Sequence, residues 1–590
     1  MKFHDVAQAF DQLEKEPSRT KMTELLAALF KKATAKEAAT IAYISLGSLN
    51  PPYIGTQFNF AEKSLIKVIA QLLDKSVSTV QQHAHKLGDL GLVLEKERWA
   101  GGSDIWSVYD VQKALEHFLT ISGTGSQETK EHTVVKMLRA QDPLSAKYIV
   151  RIIEGKLRLG FSDMTLLDAF SWMETGDKSI RRELEDAYNI SADIGLIIRT
   201  LKEDGVTSIK KISITPGIPI RPAAAERLND AAAIVKKLGT CVAQPKLDGF
   251  RLQVHVDNTA HPKVMRFFSR NLLDMSHMFP DLTKALKDFD CKTMVADGEA
   301  IGVDADTGSF LPFQETVKRK RKHDIEQMAQ DFPLKLYLFD ILYLNGKSLL
   351  DLGHEERRAK LMDVCDDKDI KKHHMIYPIE EKKITTAKQL EDYFEENISS
   401  GLEGLVVKRP DANYQPGKRN FNWIKLKRQE SGSLEDTIDC VVLGYYYGQG
   451  KRVHFGIGAL LVGIYNEKKD IYQTVAKIGT GLTDEEWKAQ KKSADHLKMD
   501  HKPNNVECAK ELYPDVWVEP KIVCMIRADE VTRSPLHKAG ATEKESGLAL
   551  RFPRLMGYRP DKSANEATTV KELEHMFQLQ FEKSKKKKTK

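Results

Sequence analysis

A chain of 590 residues with 41% hydrophobic and 29% charged residues is too long for one hydrophobic core and too polar for a membrane-embedded protein. It is expected to fold as three or more soluble domains. The net charge of +6 is modest for this size and does not by itself imply nucleic acid.

The charge is unevenly placed. Lys318-Arg319-Lys320-Arg321-Lys322 is an uninterrupted basic run, and Lys585 to Lys588 is another with the look of a disordered tail. Each reads as a phosphate-binding patch or as a solvated face. The six cysteines (Cys241, Cys291, Cys365, Cys440, Cys508 and Cys524) contain no Cys-x-x-Cys pair. That argues against a zinc ribbon and a disulfide framework and fits a reducing compartment. No apolar signal core and no run of eighteen apolar residues is present, so a membrane span is not expected and a cytoplasmic or nucleoid location is, nuclear in a eukaryote.

In chain order, residues 1–214 read as an all-α domain. Phe60 to Asp74 places Leu65, Val68, Ile69, Leu72 and Leu73 on one helical face, and Asp168-Ala169-Phe170 and Ile190 to Leu201 continue the period. Residues 215–222 carry three prolines and a glycine, which cannot sit inside a helix, and read as a linker. Residues 223–430 turn to short apolar strands separated by Gly, Asp and Asn with helices between them, an α+β texture. Residues 431–562 carry strands such as Cys440-Val441-Val442-Leu443 and Gly458 to Ile464 at a spacing that suits a small β-barrel. Residues 563–590 are a C-terminal segment with the basic tail.

The densest chemistry is Lys246-Leu247-Asp248-Gly249-Phe250-Arg251. Asp-Gly favours a tight turn with positive φ, so the hexapeptide reads as a hairpin presenting an amine at its lip. Such an amine attacks an electrophile once it is deprotonated; a free lysine, with a pKa of about 10.4, is mostly protonated at neutral pH. Five motifs follow: Phe268-Ser269-Arg270-Asn271, Ala296-Asp297-Gly298-Glu299, Leu336 to Tyr343, Glu403-Gly404-Leu405-Val406-Val407-Lys408, and Trp423-Ile424-Lys425-Leu426-Lys427. Singly, each reads equally well as surface charge or core strand. In the last, strand alternation puts Lys425 and Lys427 on one face and Ile424 and Leu426 in the core. Two amines on one face call for an anion between them, and a nucleotide phosphate is the natural candidate.

The ordered set resembles the nucleotidyltransferase superfamily of polynucleotide ligases and mRNA capping enzymes, and within it the ATP-dependent DNA ligases of the archaeal and eukaryotic replicative type. Gly155-Lys156-Leu157-Arg158-Leu159-Gly160 resembles the signature of that family's DNA-binding domain. The basic stretch after Phe313-Gln314 also matches, and Arg551-Phe552-Pro553-Arg554 with Arg559-Pro560-Asp561-Lys562 look like its sixth motif. The resemblance covers nearly the whole chain, excepting the first forty residues and the lysine tail. It implies a helical DNA-binding domain, a nucleotidyltransferase (adenylation) domain and an OB-fold domain that close around DNA.

The resemblance also implies roles. Lys246 would be the nucleophile that forms lysyl-AMP. Arg251 and Arg270 would contact the nucleotide's ribose and phosphate side and later the nick's 5′-phosphate. Glu299 and Glu403 would position Mg²⁺ (or Mn²⁺), and Phe339 would stack on adenine. Arg419 and Lys425 would hold phosphates with Lys427 and Lys408 nearby, while Arg551, Arg554 and Lys562 would orient the leaving pyrophosphate. Hard carboxylate oxygens suit Mg²⁺, and arginine's fork suits phosphate. Gln244 departs from the family, which commonly has an acidic residue there reading the adenine amino group. An amide can accept from that group or donate to a carbonyl.

The implied activity is sealing of nicks in duplex DNA with ATP, in replication, repair and recombination, by a monomer. Nothing in the residues specifies a sliding-clamp contact. A capping guanylyltransferase shares the lysine motif and barrel but not the helical front, which resembles that of ligases. An NAD-dependent ligase is disfavoured by the lack of a four-cysteine zinc site. A nick-binding clamp that has lost catalysis is opposed by the presence of Lys246 and Glu299 together with the sixth motif.

Overall fold

The computed structural model describes the chain except for residues 100, 103–105, 124, 229, 288, 304–309, 312–315, 317–318, 320–326, 330–331, 367–373, 401, 428–436, 449–453, 480, 544 and 587–590. It divides into two compact units, residues 1–74 with 94–428, and residues 75–93 with 429–590.

The N-terminal elements are all helical, from Phe3–Lys15 to Ile194–Ile209. Their apolar stripes are buried as the periodicity requires: in Glu62–Leu73, Leu65, Val68, Ile69 and Leu73 are in the core. Leu72 is half-buried. The helix expected over Ile190 to Leu201 is two helices, Arg181–Ile190 and Ile194–Ile209. Between them Asp193 caps the second helix, its carboxylate accepting from the Leu196 N–H. Gly155 to Gly160 is a loop in which Gly155, Arg158 and Gly160 all have positive φ, with Leu157 and Leu159 as its buried anchors.

Within the same unit, residues 223–427 build two sheets. One has the order β1 (Ala224–Arg227), β11 (Arg419–Lys427), β10 (Gly404–Lys408), β2 (Cys241–Pro245) and β9 (Lys382–Ile384). Helices Ala231–Leu238 and Ala387–Ser399 cover it through Ile234, Leu390, Leu405 and Ile424. The other runs β4 (Val264–Ser269), β3 (Phe250–Asp257), β5 (Thr293–Gly302), β6 (Leu334–Leu344) and β7 (Lys347–Ser348), with β8 (Ile376–Pro378) also paired to β6. Its core gathers Val254, Phe267, Phe279, Leu336 and Leu361.

The expected hairpin at Lys246 is absent. β2 and β3 belong to different sheets, so Lys246-Leu247-Asp248-Gly249 is the crossing between them. Gly249 is required for a different reason than a turn with positive φ. A Cβ there would lie 2.2 Å from the Ala300 carbonyl oxygen on β5. The proline-rich segment is not free either. Ile220 is fully buried, its N–H donates to Gln253 Oε1 at 2.7 Å, and the Gly217 N–H donates to His255 Nδ1 at 3.1 Å.

The second unit is β-rich. β12 (Ile438–Tyr446) pairs with β13 (Ala459–Asn466) on one edge and with β17 (Val516–Val518) and β18 (Val523–Arg527) on the other. β14 (Ile471–Ile478), β15 (Lys498–Met499), β16 (Val506–Glu507) and β21 (Arg554–Tyr558) extend the sheet, and β19 (Glu530–Ser534) pairs with β20 (Gly547–Arg551). Val442, Leu460, Val475, Trp487, Ile526 and Leu548 form its core. The expected disordered tail is corrected in part: Val570–Lys586 is a helix whose Leu573 is fully buried, while Lys587 and Lys588 lie outside the described residues. The basic run is likewise corrected at one position. Arg319 is buried and ion-paired with Asp281, whereas Lys318, Lys320, Arg321 and Lys322, like Phe313 and Gln314, lie outside the described residues.

Candidate active site

The crossing places Lys246 in the lining of a cavity of about 480 Å³ to which both sheets of the first unit contribute. Backbone bonds hold the lysine from either side: its N–H donates to the Gly404 carbonyl at 2.9 Å, and its carbonyl accepts from the Glu403 N–H at 3.2 Å. Gln244, Arg251, Arg270, Glu299, Phe339, Glu403, Arg419, Lys425 and Lys427 all line the same space. Residues 244 to 427 of the expected set are thus brought together. Arg551 and Arg554 belong to the second unit, where Arg551 is ion-paired with Glu530 on the neighbouring strand. Lys562 is there as well, bound to Asp439 Oδ2 at 2.7 Å.

Each lining group has a physical setting. Glu403 pairs with Lys246 through Oε2 and with Lys427 through Oε1 at 3.0 Å. Burial would push this carboxyl up, but the two ammonium groups outweigh it and hold it below its ordinary range. Glu299 accepts from the Gly249 N–H at 3.2 Å, and burial, only partly offset by Lys246 and Arg251, pushes its pKa up to about 7. Lys425 is pushed down by burial and by the nearby cations Arg419, Lys427 and Lys246. Ile424 and Leu426 are in the core, as the alternation requires.

Arg251 spans β3 to its neighbours. Its guanidinium donates to the Ala223 carbonyl and to Asp297 Oδ2, both at 2.9 Å, and lies 5.4 Å from the Phe339 ring centre. Its buried Nε has no hydrogen-bond partner. Tyr414 donates to the same Asp297 carboxylate at 2.7 Å and to this extent fixes the arginine. Lys408 also lines the cavity, but its amine is turned to protein groups. It is 1% exposed, its amine donates to the Phe339 carbonyl at 2.9 Å, and Asp340 lies 3.7 Å away. Burial pushes its pKa down to about 8, against the pull of Asp340 and Glu381. Lys408 therefore braces Phe339 and Trp423, whose rings lie 5.1 and 4.4 Å from its amine.

Sequence reasoning gave no role to Asp297, Asp340, Tyr414, Glu381 or His354. The two aspartates stand inside motifs it quoted, beside Glu299 and Phe339. Glu381 and His354 carry no spacing signal, because Glu381 meets Gln244, and His354 meets Glu381, only through the fold.

Three family descriptions match the chain: "DNA ligase N terminus" over residues 2–171, "ATP dependent DNA ligase domain" over 222–427 and "ATP dependent DNA ligase C terminal region" over 454–562. A probable DNA ligase of Dictyoglomus turgidum is 44% identical over 98% of this chain and 98% of its own length. The chain belongs to the ATP-dependent DNA ligases. DNA ligase 2 of Thermofilum pendens is 37% identical to this ligase over 98% of it and 97% of the relative. A solved structure named Pmar-Lig_PreS3 covers 94% of this chain and 99% of its own, with a TM-score of 0.55 at 16% identity, a likeness of fold. Within the first unit the family's central region, residues 222–427, supplies the whole lining of the cavity.

Proposed function

We propose that this ligase seals nicks in duplex DNA through a covalent nucleotide on Lys246. The observation that carries the reading is the convergence of one backbone-clamped lysine with Arg270, Arg419, Lys425 and Lys427 in one cavity beside Phe339. Nζ of Lys246, once its proton has passed to water, attacks the α-phosphorus of ATP. A P–N bond forms, the bond to the bridging oxygen breaks, and pyrophosphate leaves. The 5′-phosphate of the nick next attacks the same phosphorus, and the amine departs and regains its proton. The 3′-hydroxyl then attacks the activated 5′-phosphate and AMP leaves. Such transfers ask a protein mainly for position and charge neutralisation.

In this reading Phe339 stacks on adenine with Lys408 bracing it from behind. The unpartnered Arg251 Nε serves the ribose side, and Arg419, Lys425 and Lys427 serve the phosphates. Glu403, paired with Lys246 at rest, keeps the amine aimed until nucleotide displaces it. Glu299 and Glu403 flank the lysine as hard oxygen donors, a set that fits Mg²⁺ or Mn²⁺, which take one or two carboxylates together with water and phosphate oxygens. Such an ion, when bound, would neutralise phosphate charge. We read residues 1–214 as the DNA-binding domain, 223–430 as the nucleotidyltransferase domain and 431–562 as an OB-type barrel. Arg551, Arg554 and Lys562 of the barrel orient the pyrophosphate, the protein acts as a monomer, and its substrate is nicked DNA.

The test is Lys246→Ala supplied with two substrates. The variant is expected to fail on a plain nick with ATP yet to seal a nick already carrying 5′-adenylate, because the last step needs no lysine bond. Sealing of the plain nick at the wild-type rate would remove Lys246 from the mechanism.

A further inference from the structure

Gln244 is 2% exposed and lines the cavity, and two acceptors face its amide from behind. Its Nε2 lies 2.7 Å from Glu381 Oε2 and 3.5 Å from the Phe339 carbonyl oxygen. Glu381 is itself held in place, with His354 Nε2 at 2.8 Å from the same oxygen. Burial pushes the Glu381 carboxyl up, but His354, Lys408 and Arg358 more than offset this and keep it ionised. An ionised carboxylate can only accept. With nitrogen committed to a carboxylate and a carbonyl, the Gln244 amide must turn its oxygen the other way. A negative charge therefore stands at Glu381, behind the neutral amide of Gln244.

We propose that Glu381 is a positioning residue for base selection: by orienting the Gln244 amide with its oxygen toward the cavity, it makes the pocket accept a purine with a 6-amino group and reject one with a 6-oxo group. This rests on the reading above that the base enters against Phe339 and Gln244. An adenine amino group donates to Oε1. A guanine or hypoxanthine carbonyl would meet that oxygen acceptor to acceptor, with no hydrogen between them.

The experiment uses the full chain and α-labelled ATP, GTP and inosine triphosphate, reading covalent label on the protein. The wild type should label from ATP and discriminate against both 6-oxo nucleotides. Glu381→Gln, which can donate to Gln244 as well as accept, should lower the ATP-to-GTP ratio of kcat/KM roughly tenfold, mainly through KM. The double variant Q244E/E381Q returns the carboxylate to position 244, where either oxygen accepts, and should restore the ratio. If Glu381 merely supports the fold, E381Q would depress labelling from all three nucleotides alike and Q244E would not rescue it; that result overturns the proposal. Efficient labelling of the wild type by inosine triphosphate overturns it without any variant. If the wild type takes label from no nucleotide, the lysyl-adenylate reading itself has failed and this inference falls with it.

Discussion

His255 shows how one buried side chain ties the site to the segment that precedes it. It sits on β3, fully buried, with Nδ1 accepting from the Gly217 N–H and Nε2 3.0 Å from Gln253 Oε1. Burial pushes its pKa down to about 3, against an ordinary value near 6.5. The unfolded chain takes up a proton as pH falls through 6.5, while the folded chain does not until about 3. This group's contribution is therefore intact above 6.5 and is lost progressively below it. Between pH 7 and pH 5 the loss should be about 2 kcal/mol. His255→Asn keeps an acceptor for Gly217 but cannot titrate, so its stability, read by chemical denaturation, should fall less over that interval. An identical pH dependence in the two proteins would mean that His255 is not held neutral.

At the scale of the elements, the crossing from β2 to β3 decides whether a lysine can stand in the cavity at all. Gly249→Ala would drive a methyl group into the Ala300 carbonyl, and because that contact is backbone, β3 must move from β5. The expected cost is roughly 1–3 kcal/mol of stability together with a fall of tenfold or more in the rate of protein labelling from ATP. Wild-type labelling by this variant would show that the close approach is not needed. The same crossing marks the limit of what the sequence could say. Asp-Gly in an alternating context reads as a hairpin because the local signal carries no record of which sheet each strand joins. Strand alternation at Trp423 to Lys427 was legible, since facing is a period-two property of a single strand. The break at Ser191 to Asp193 was not, because apolar residues continue across it at helical spacing while Asp193 starts a new helix. In the cavity, charged residues stand in motifs whose order is visible along the chain. Two of their supports, Glu381 and His354, come from segments with no pattern of their own and acquire meaning only by contact.

For the molecule as a whole, residues 1–74 and 94–214 of the helical region share one compact unit with the two sheets. Arg221 pairs with Asp163 at 3.1 Å, Lys418 with Asp186 at 3.2 Å, and the Arg221 N–H donates to the Asn189 carbonyl at 2.8 Å. The lining of the cavity nevertheless lies wholly after residue 222. A fragment beginning at Thr215 keeps Ile220 and its bonds to Gln253, and should still take label from ATP. It should bind a nicked duplex more weakly than the full chain and with a shallower dependence on salt, since phosphate contacts and their released counterions leave with the helices. Anisotropy over a salt series measures both, and equal affinity and slope would mean that the helical region is not the main DNA-binding surface. The central claim is narrower than this and rests on one atom, Nζ of Lys246. The most direct measurement is to incubate the full chain with α-labelled ATP and Mg²⁺, digest it and locate the label by mass spectrometry. AMP is expected on the peptide containing Lys246, joined by an acid-labile, base-stable bond and absent from Lys246→Ala; AMP on any other residue, or undiminished in that variant, would contradict the account.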